Sequence, residues 1–211
     1  MMKHLQKLGK AMMLPVAALP ICGILMGLGY AFAPAVMGAA GATEGFAYVL
    51  GFFLVKAGAA LIDNMAILFA IGVGVGLAKD NDGTAGLAGM VSYLMITTLL
   101  APGTVSTIAP GMIASKINQV AFAKIGGNAF IGILAGIVGG ICYNKFKGTK
   151  LPDVLAFFSG KRSVAIVTAV VSIVVSAILL FVWPVIFGGL VALGNAVVGL
   201  DAVGAGIYAF L

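Results

Sequence analysis

VAIVTAVVSIVVSAILLFVWPVIF, residues 164–187, runs from end to end without a charge, just after Lys161 and Arg162. A helix of that length rises about 36 Å at about 1.5 Å per residue, enough to cross a hydrocarbon layer of about 30 Å. Apolar runs of similar length, bounded by charges or turn residues, lie at about 11–32, 58–78, 85–101 and 126–143, and another begins at 201–211. Composition agrees, since 62% of residues are hydrophobic, 9% are charged and mean hydropathy is +1.20. Soluble domains hold about 25% charged residues, so this chain is built for a solvent that excludes charge. The 31 glycines fit, because glycine lets membrane helices approach closely. The expected fold class is an all-α integral membrane protein, a polytopic helical bundle with interfacial amphipathic helices.

The formal charge of +6 is distributed as a topology signal and not as a nucleic-acid patch. Lys and Arg accumulate in cytoplasmic loops near the ends of spans. An N-terminus in the cytoplasm puts Lys3, Lys7, Lys10, Lys79, Lys145, Lys147, Lys150, Lys161 and Arg162 inside, and only Lys56, Lys116 and Lys124 outside. The segment Phe46 to Val55 reads as an interfacial or re-entrant helix on the outer face, because an extra crossing there would invert every later loop. Lys79 to Thr84 is a tight polar turn, with Gly83 for backbone freedom and Thr84 as a cap. The stretch Asn144 to Ser163 mixes Leu151, Val154, Leu155, Phe157 and Phe158 with Lys150, Asp153, Lys161 and Arg162, a composition suited to the membrane interface.

Charges at membrane depth are functional candidates, and Asp63 with Asn64 form the candidate intramembrane polar site. Asp63 either lies on a polar pathway or bend, or caps a helix and pairs with Lys56. Gly72, Gly74 and Gly76 lack the strand and turn of a nucleotide loop. Small-residue spacing in Gly23 with Gly27, Gly72 with Gly76, and Gly132, Gly136 and Gly140 instead predicts close helix contacts. Pro15, Pro20 and Pro184 predict bends. Asp80, Asp82 and Gly83 bear a passing likeness to a calcium loop whose later ligands are missing. His4 lies in the basic tail, and Cys22 and Cys142 are packing residues without metal-ligand spacing. No catalytic residue, metal site or cofactor is assigned.

Several of these segments, in order, carry a family likeness. Leu5-Gln6-Lys7-Leu8-Gly9-Lys10 with Met13-Leu14-Pro15-Val16 and Leu19-Pro20 resembles the opening of the glucose-family enzyme IIC components of the phosphotransferase system. Asp63-Asn64, Leu68 to Val73 and Lys79 to Gly83 resemble that family's second span and first inner loop. Lys150 to Asp153 with Phe157 to Arg162 resembles its central cytoplasmic loop, and Val182-Trp183-Pro184 its next span. Where the family usually follows Lys-Arg with a Phe-Val-Pro-Ile type string, this chain has Ser163 to Ile166.

The resemblance implies a permease in the bacterial cytoplasmic membrane that takes up a sugar and phosphorylates it from a phosphocysteine on an enzyme IIB unit. It further implies a homodimer and a role for 1–211 as the N-terminal scaffold, with substrate-binding residues expected mainly in a C-terminal half beyond Leu211. Lys161 and Arg162 become candidates for docking IIB or the incoming phosphoryl group, against the alternative of a plain positive-inside anchor. The stretch Gly199 to Tyr208 favours the N-acetylglucosamine branch over the glucose branch. Competing readings are a stand-alone oligomeric scaffold or pore, and an ion-driven carrier working through Asp63. A pore would set polar residues at helical spacing along a bundle face, and no such face is expected.

Overall fold

A computed structural model describes residues 2–198, so the run at 201–211 lies outside the described residues. Nine α-helices follow one another there: α1 (Met2–Val16), α2 (Leu19–Phe32), α3 (Phe46–Asp63), α4 (Met65–Leu77), α5 (Gly83–Leu99), α6 (Pro102–Ile108), α7 (Lys116–Ala123), α8 (Ala129–Phe146) and α9 (Lys161–Val198). The chain divides into two units, one comprising residues up to Leu94 with Gly127–Val170, the other Met95–Gly126 with residues from Val171. Four helices or near-continuous helical runs are long and apolar enough to cross a membrane, within Gln6–Phe32, Phe46–Asp63, Ala129–Phe146 and Lys161–Val197.

In the first unit the N-terminal third is a hairpin of two broken runs. The break between α1 and α2 falls at Ala17 and Ala18, where Pro20, in the first turn of α2, has no N–H to continue the ladder. The pairing of α1–α2 with α3–α4 runs antiparallel: Gly29 faces Gly51 and Val55, Cys22 and Met26 face Gly58, Pro15 faces Gly72, and Ala11 faces Gly76. The helix containing 46–55 therefore keeps its direction along α2 and does not turn back. This differs from the expectation of a separate segment at 46–55 and an unbroken span over 58–78. Lys56 does not interrupt α3, because its ammonium lies over the Phe52 ring, 5.4 Å from the centroid. The interruption comes at Asn64, whose side-chain amide donates to Ala60 O at 2.8 Å and ends the helix. The 13 residues of α4 rise only about 20 Å, too short to cross alone.

Around α4 the helices are held by glycine. Lipid tails are as apolar as Leu, so helices associate in a membrane through close van der Waals contact. Gly136 of α8 lies so near α4 that an added Cβ would stand 2.7 Å from Val73 Cβ and 2.9 Å from Ala70 O. Gly132 meets Ala66 and Gly140 meets Leu77, so α4 and α8 run parallel, while Gly74 against Ala85 sets α5 antiparallel to α4. Gly23 and Gly27 do otherwise: nothing lies within 4 Å of a Cβ built on either, and Gly29 makes the α2 contact instead.

The second unit packs around Trp183, fully buried on α9, whose indole N–H donates to Ala121 O at 2.9 Å. Phe122, Ile125, Leu100 and Val105 are buried in the same unit. Ser115 caps α7 by accepting from Asn118 N–H at 3.2 Å.

Candidate functional site

The antiparallel and parallel pairings of the first unit bring the start of α1, the end of α4, the turn 79–82, the end of α8 and the start of α9 to one end. Helix α4 finishes there with unsatisfied carbonyls, a partial negative charge that attracts donors. Lys7 Nζ donates to Leu77 O at 2.9 Å and to Ala78 O at 3.3 Å. From α8, Asn144 Nδ2 donates to the same Leu77 O at 2.9 Å, and its Oδ1 accepts from Lys79 N–H at 2.9 Å. Beneath these groups Ala78, Ala85, Ala88, Tyr143 and Val164 form a buried apolar cluster.

Asn81 takes φ 50°, the left-handed region that Asn tolerates, and the turn it makes directs two carboxylates to different helices. Asp80 accepts from Tyr143 Oη of α8 at 2.9 Å and from Nζ of Lys147, the residue that follows α8, at 3.0 Å. Asp82 accepts from Thr84 N–H at 2.8 Å, opening α5, and from Lys161 Nζ at the start of α9. Both carboxyls are held below the usual carboxylate range. For Asp80 the Lys147 ammonium is the main cause, opposed by desolvation and assisted by Tyr143. For Asp82 it is the Lys161 ammonium, then the Thr84 hydroxyl and N–H. The two acids that looked like a fragment of a calcium loop are thus counter-ions for the chain's own lysines. Asp82 also compensates a local conflict, since a cation at the N-terminus of α9 opposes the helix dipole.

Lys161 and Arg162 come together at this end with different engagements. Lys161 is bound to Asp82, while Arg162 Nη1 donates to Phe157 O at 3.1 Å and its guanidinium lies 4.7 Å above the Phe157 ring. The expected amphipathic stretch is a short 3-10 turn, Asp153–Phe158. Leu151 N–H donates to Ser159 Oγ at 3.0 Å and Gly160 N–H to Thr149 O at 2.9 Å, closing the loop on itself. Gly160 has φ +71°, which a side chain would resist. Phe157 stays 71% exposed beside Arg162, so a cation and an aromatic face share one accessible surface.

Asp63 and Asn64 lie elsewhere, at the α3–α4 junction, about 20 Å of helix away from this end. Both are exposed, and among the described residues Asp63 forms no ion pair. Sequence reasoning missed Tyr143 and Asn144. Their signal was a polar sequence, Tyr-Asn-Lys-Phe-Lys, closing an otherwise apolar helix. It also missed a buried hydroxyl stripe on α9, Thr168, Ser172 and Ser176, spaced four apart. Thr168 Oγ1 donates to Val164 O and Ser176 Oγ to Ser172 O, each at 2.7 Å. These two hydroxyls are turned back on their own helix.

Comparison with known proteins agrees with this architecture. The family described as "Phosphotransferase system, EIIC" matches residues 9–211. The N-acetylglucosamine-specific EIICB component of Bacillus subtilis (strain 168) is 39% identical over 208 residues, covering 99% of this chain and 39% of that protein. The N-acetylglucosamine-specific EIICBA component of Escherichia coli (strain K12) is 37% identical, over 98% of this chain and 27% of its own length. The glucose-specific EIICBA component of Staphylococcus carnosus (strain TM300) is 36% identical, over 99% and 31%. The chain thus spans about two fifths or less of these curated relatives. With apolar helices of crossing length and a family match that runs almost throughout, the chain is a multi-pass membrane protein belonging to the EIIC family of the phosphotransferase system.

Proposed function

We propose that this chain forms the N-terminal portion of a sugar permease that couples uptake to phosphorylation, with phosphoenolpyruvate as the ultimate donor and N-acetylglucosamine preferred over glucose as the sugar. The observation that carries the reading is the 39% identity to an N-acetylglucosamine-specific component over 99% of the chain. The 36% identity to a glucose-specific one keeps glucose as the alternative substrate. The phosphoryl group reaches the sugar from a phosphocysteine on an EIIB unit, as the B in the relatives' names suggests. Lys161 and Arg162 serve as the docking cations for that unit. What supports this role is the exposure of both at the positive end of the α9 dipole, with Arg162 beside Phe157.

The N-terminus lies in the cytoplasm in this reading, supported by the gathering of Lys7, Lys79, Lys145, Lys147 and Lys161 at one end of the first unit. The permease works as a homodimer in this reading, as the family resemblance implies. The deciding experiment is phosphorylation of labelled sugars by membranes carrying the complete gene product, supplied with phosphoenolpyruvate and the soluble phosphocarriers. N-acetylglucosamine phosphorylated in preference to glucose is the expected result. Uptake that proceeds without phosphoenolpyruvate and collapses with an ion gradient would overturn it.

A further inference from the structure

A groove of about 580 Å³ opens beside the polar end of the first unit. Its rim carries Lys7, Lys79 and Lys145, and no carboxylate lines it among the described residues. Its floor is aliphatic, from Leu8, Leu77, Ile137 and Ile141. Ile137, Ile141 and Lys145 follow at intervals of four along α8, so they make one stripe about 12 Å long, apolar below and cationic at the top. Ile141 is 58% exposed. The three ammoniums are not equally committed. Lys7 is shared with the α4 carbonyls and Lys145 lies 5.6 Å from the Phe146 ring centroid. Among the described residues Lys147 pairs with Asp80 and Lys161 with Asp82, and neither Lys79 nor Lys145 enters an ion pair.

We propose that this groove is a binding site for one anionic phospholipid, with an acyl chain along Ile137 and Ile141 and the headgroup phosphate among Lys7, Lys79 and Lys145. The shape decides between occupants. A free phosphate has no use for an apolar floor two helical turns deep, and a zwitterionic lipid brings its own cation to a rim that already has three. Basic pockets between membrane helices recognise anionic headgroups in this manner, each lysine near the surface contributing about five-fold in affinity. The proposal rests on membership of a membrane family and is independent of which sugar is carried or whether phosphate is transferred.

Native mass spectrometry of the detergent-solubilised full chain, titrated separately with phosphatidylglycerol, phosphatidylcholine and inorganic phosphate, tests it. Phosphatidylglycerol is expected to be retained, and phosphatidylcholine and inorganic phosphate are not. Lys79→Gln with Lys145→Gln should weaken phosphatidylglycerol about twenty-five-fold at low salt, at five-fold each. Ile141→Trp keeps every charge and fills the floor, and it should weaken the lipid by a similar factor if the site is built as described. It also serves as the second variant should the double substitution fail to fold. Competition by inorganic phosphate at equal concentration would make this a simple anion site and overturn the proposal. Undiminished phosphatidylglycerol retention in both variants would overturn it too. Normal lipid retention in the double variant, with loss of sugar phosphorylation, would assign the groove to a phosphoryl-carrying protein instead.

Discussion

Replacing Gly136 by alanine adds a single methyl group and should still unsettle the α4–α8 contact. The new Cβ would sit 2.7 Å from Val73 Cβ, 2.9 Å from Ala70 O and 3.1 Å from Gly74 N, where ordinary contact begins at 3.4 Å. Two of those three atoms belong to the α4 backbone, so no rotamer change relieves the clash and the helices must part by several tenths of an ångström. Overpacking of this kind costs about 1–3 kcal/mol, and the loosened van der Waals contacts lie where packing is the main adhesive. Gly23→Ala is the control. It too lies inside an apolar helix, but nothing stands within 4 Å of its Cβ, and alanine improves helix propensity by up to about 1 kcal/mol. Thermal unfolding in dilute detergent, followed by circular dichroism, converts these to shifts of about 2–4 °C per kcal/mol for a chain of 150–250 residues. Gly136→Ala should melt roughly 2–12 °C lower on that scale, and Gly23→Ala should melt no lower than the parent. Equal melting of the parent and Gly136→Ala, or an equal loss from both substitutions, would refute the glycine-packing argument.

Because Asp80 and Asp82 have folded-state pKa values held below the unfolded carboxylate value, their contribution is present above about pH 4 and is lost as pH falls through the lowered values. Asp80→Asn with Asp82→Asn should therefore flatten the acid limb of a melting-temperature profile, and an unchanged limb would count against the ion pairs. The chain's one tryptophan, Trp183, is fully buried, so its fluorescence should be blue-shifted and poorly quenched by acrylamide. Trp183→Phe strands the Ala121 carbonyl and should cost about 1 kcal/mol in stability, read by the same melting assay. Lys161→Gln with Arg162→Gln in the complete permease should leave sugar binding and insertion intact and abolish most phosphorylation. Inverted topology, seen by labelling of loop cysteines, would instead identify the pair as an anchor.

Much of the helical framework was legible because the constraint is severe, as backbone groups in lipid must be satisfied within a helix. The apolar runs therefore announce α5, α8 and the start of α9 within a few residues, while α9 runs on to Val198, well past the expected end at 187. The Asn64 break was half legible: Asp63-Asn64 stood out as polar, but the capture of Ala60 O that ends α3 leaves no trace in composition. Gly23 and Gly27 have the same spacing as Gly132 and Gly136, and only the fold reveals that one pair is open and the other closed. Tyr143 and Asn144 were illegible as partners of the 77–80 region because 63–67 residues separate them. The hydroxyl stripe on α9 was masked by its Val and Ile neighbours, whose hydropathy outweighs three small polar groups.

The Asp82–Lys161 tie also has a chronology. Its partners are 79 residues apart, so at roughly 5–20 residues per second of synthesis the carboxylate waits about 4–16 s before its ammonium exists. The α1–α4 hairpin is complete long before that moment, whereas the turn after α4 is held only by Lys7 and by its own link to the start of α5, Thr84 N–H to Asp82, until α8 and then α9 emerge. The nascent protein thus closes its hairpin early and fastens its polar end last, a sequence in which the helices that precede α9 in the first unit can settle in lipid before the final ion pair forms.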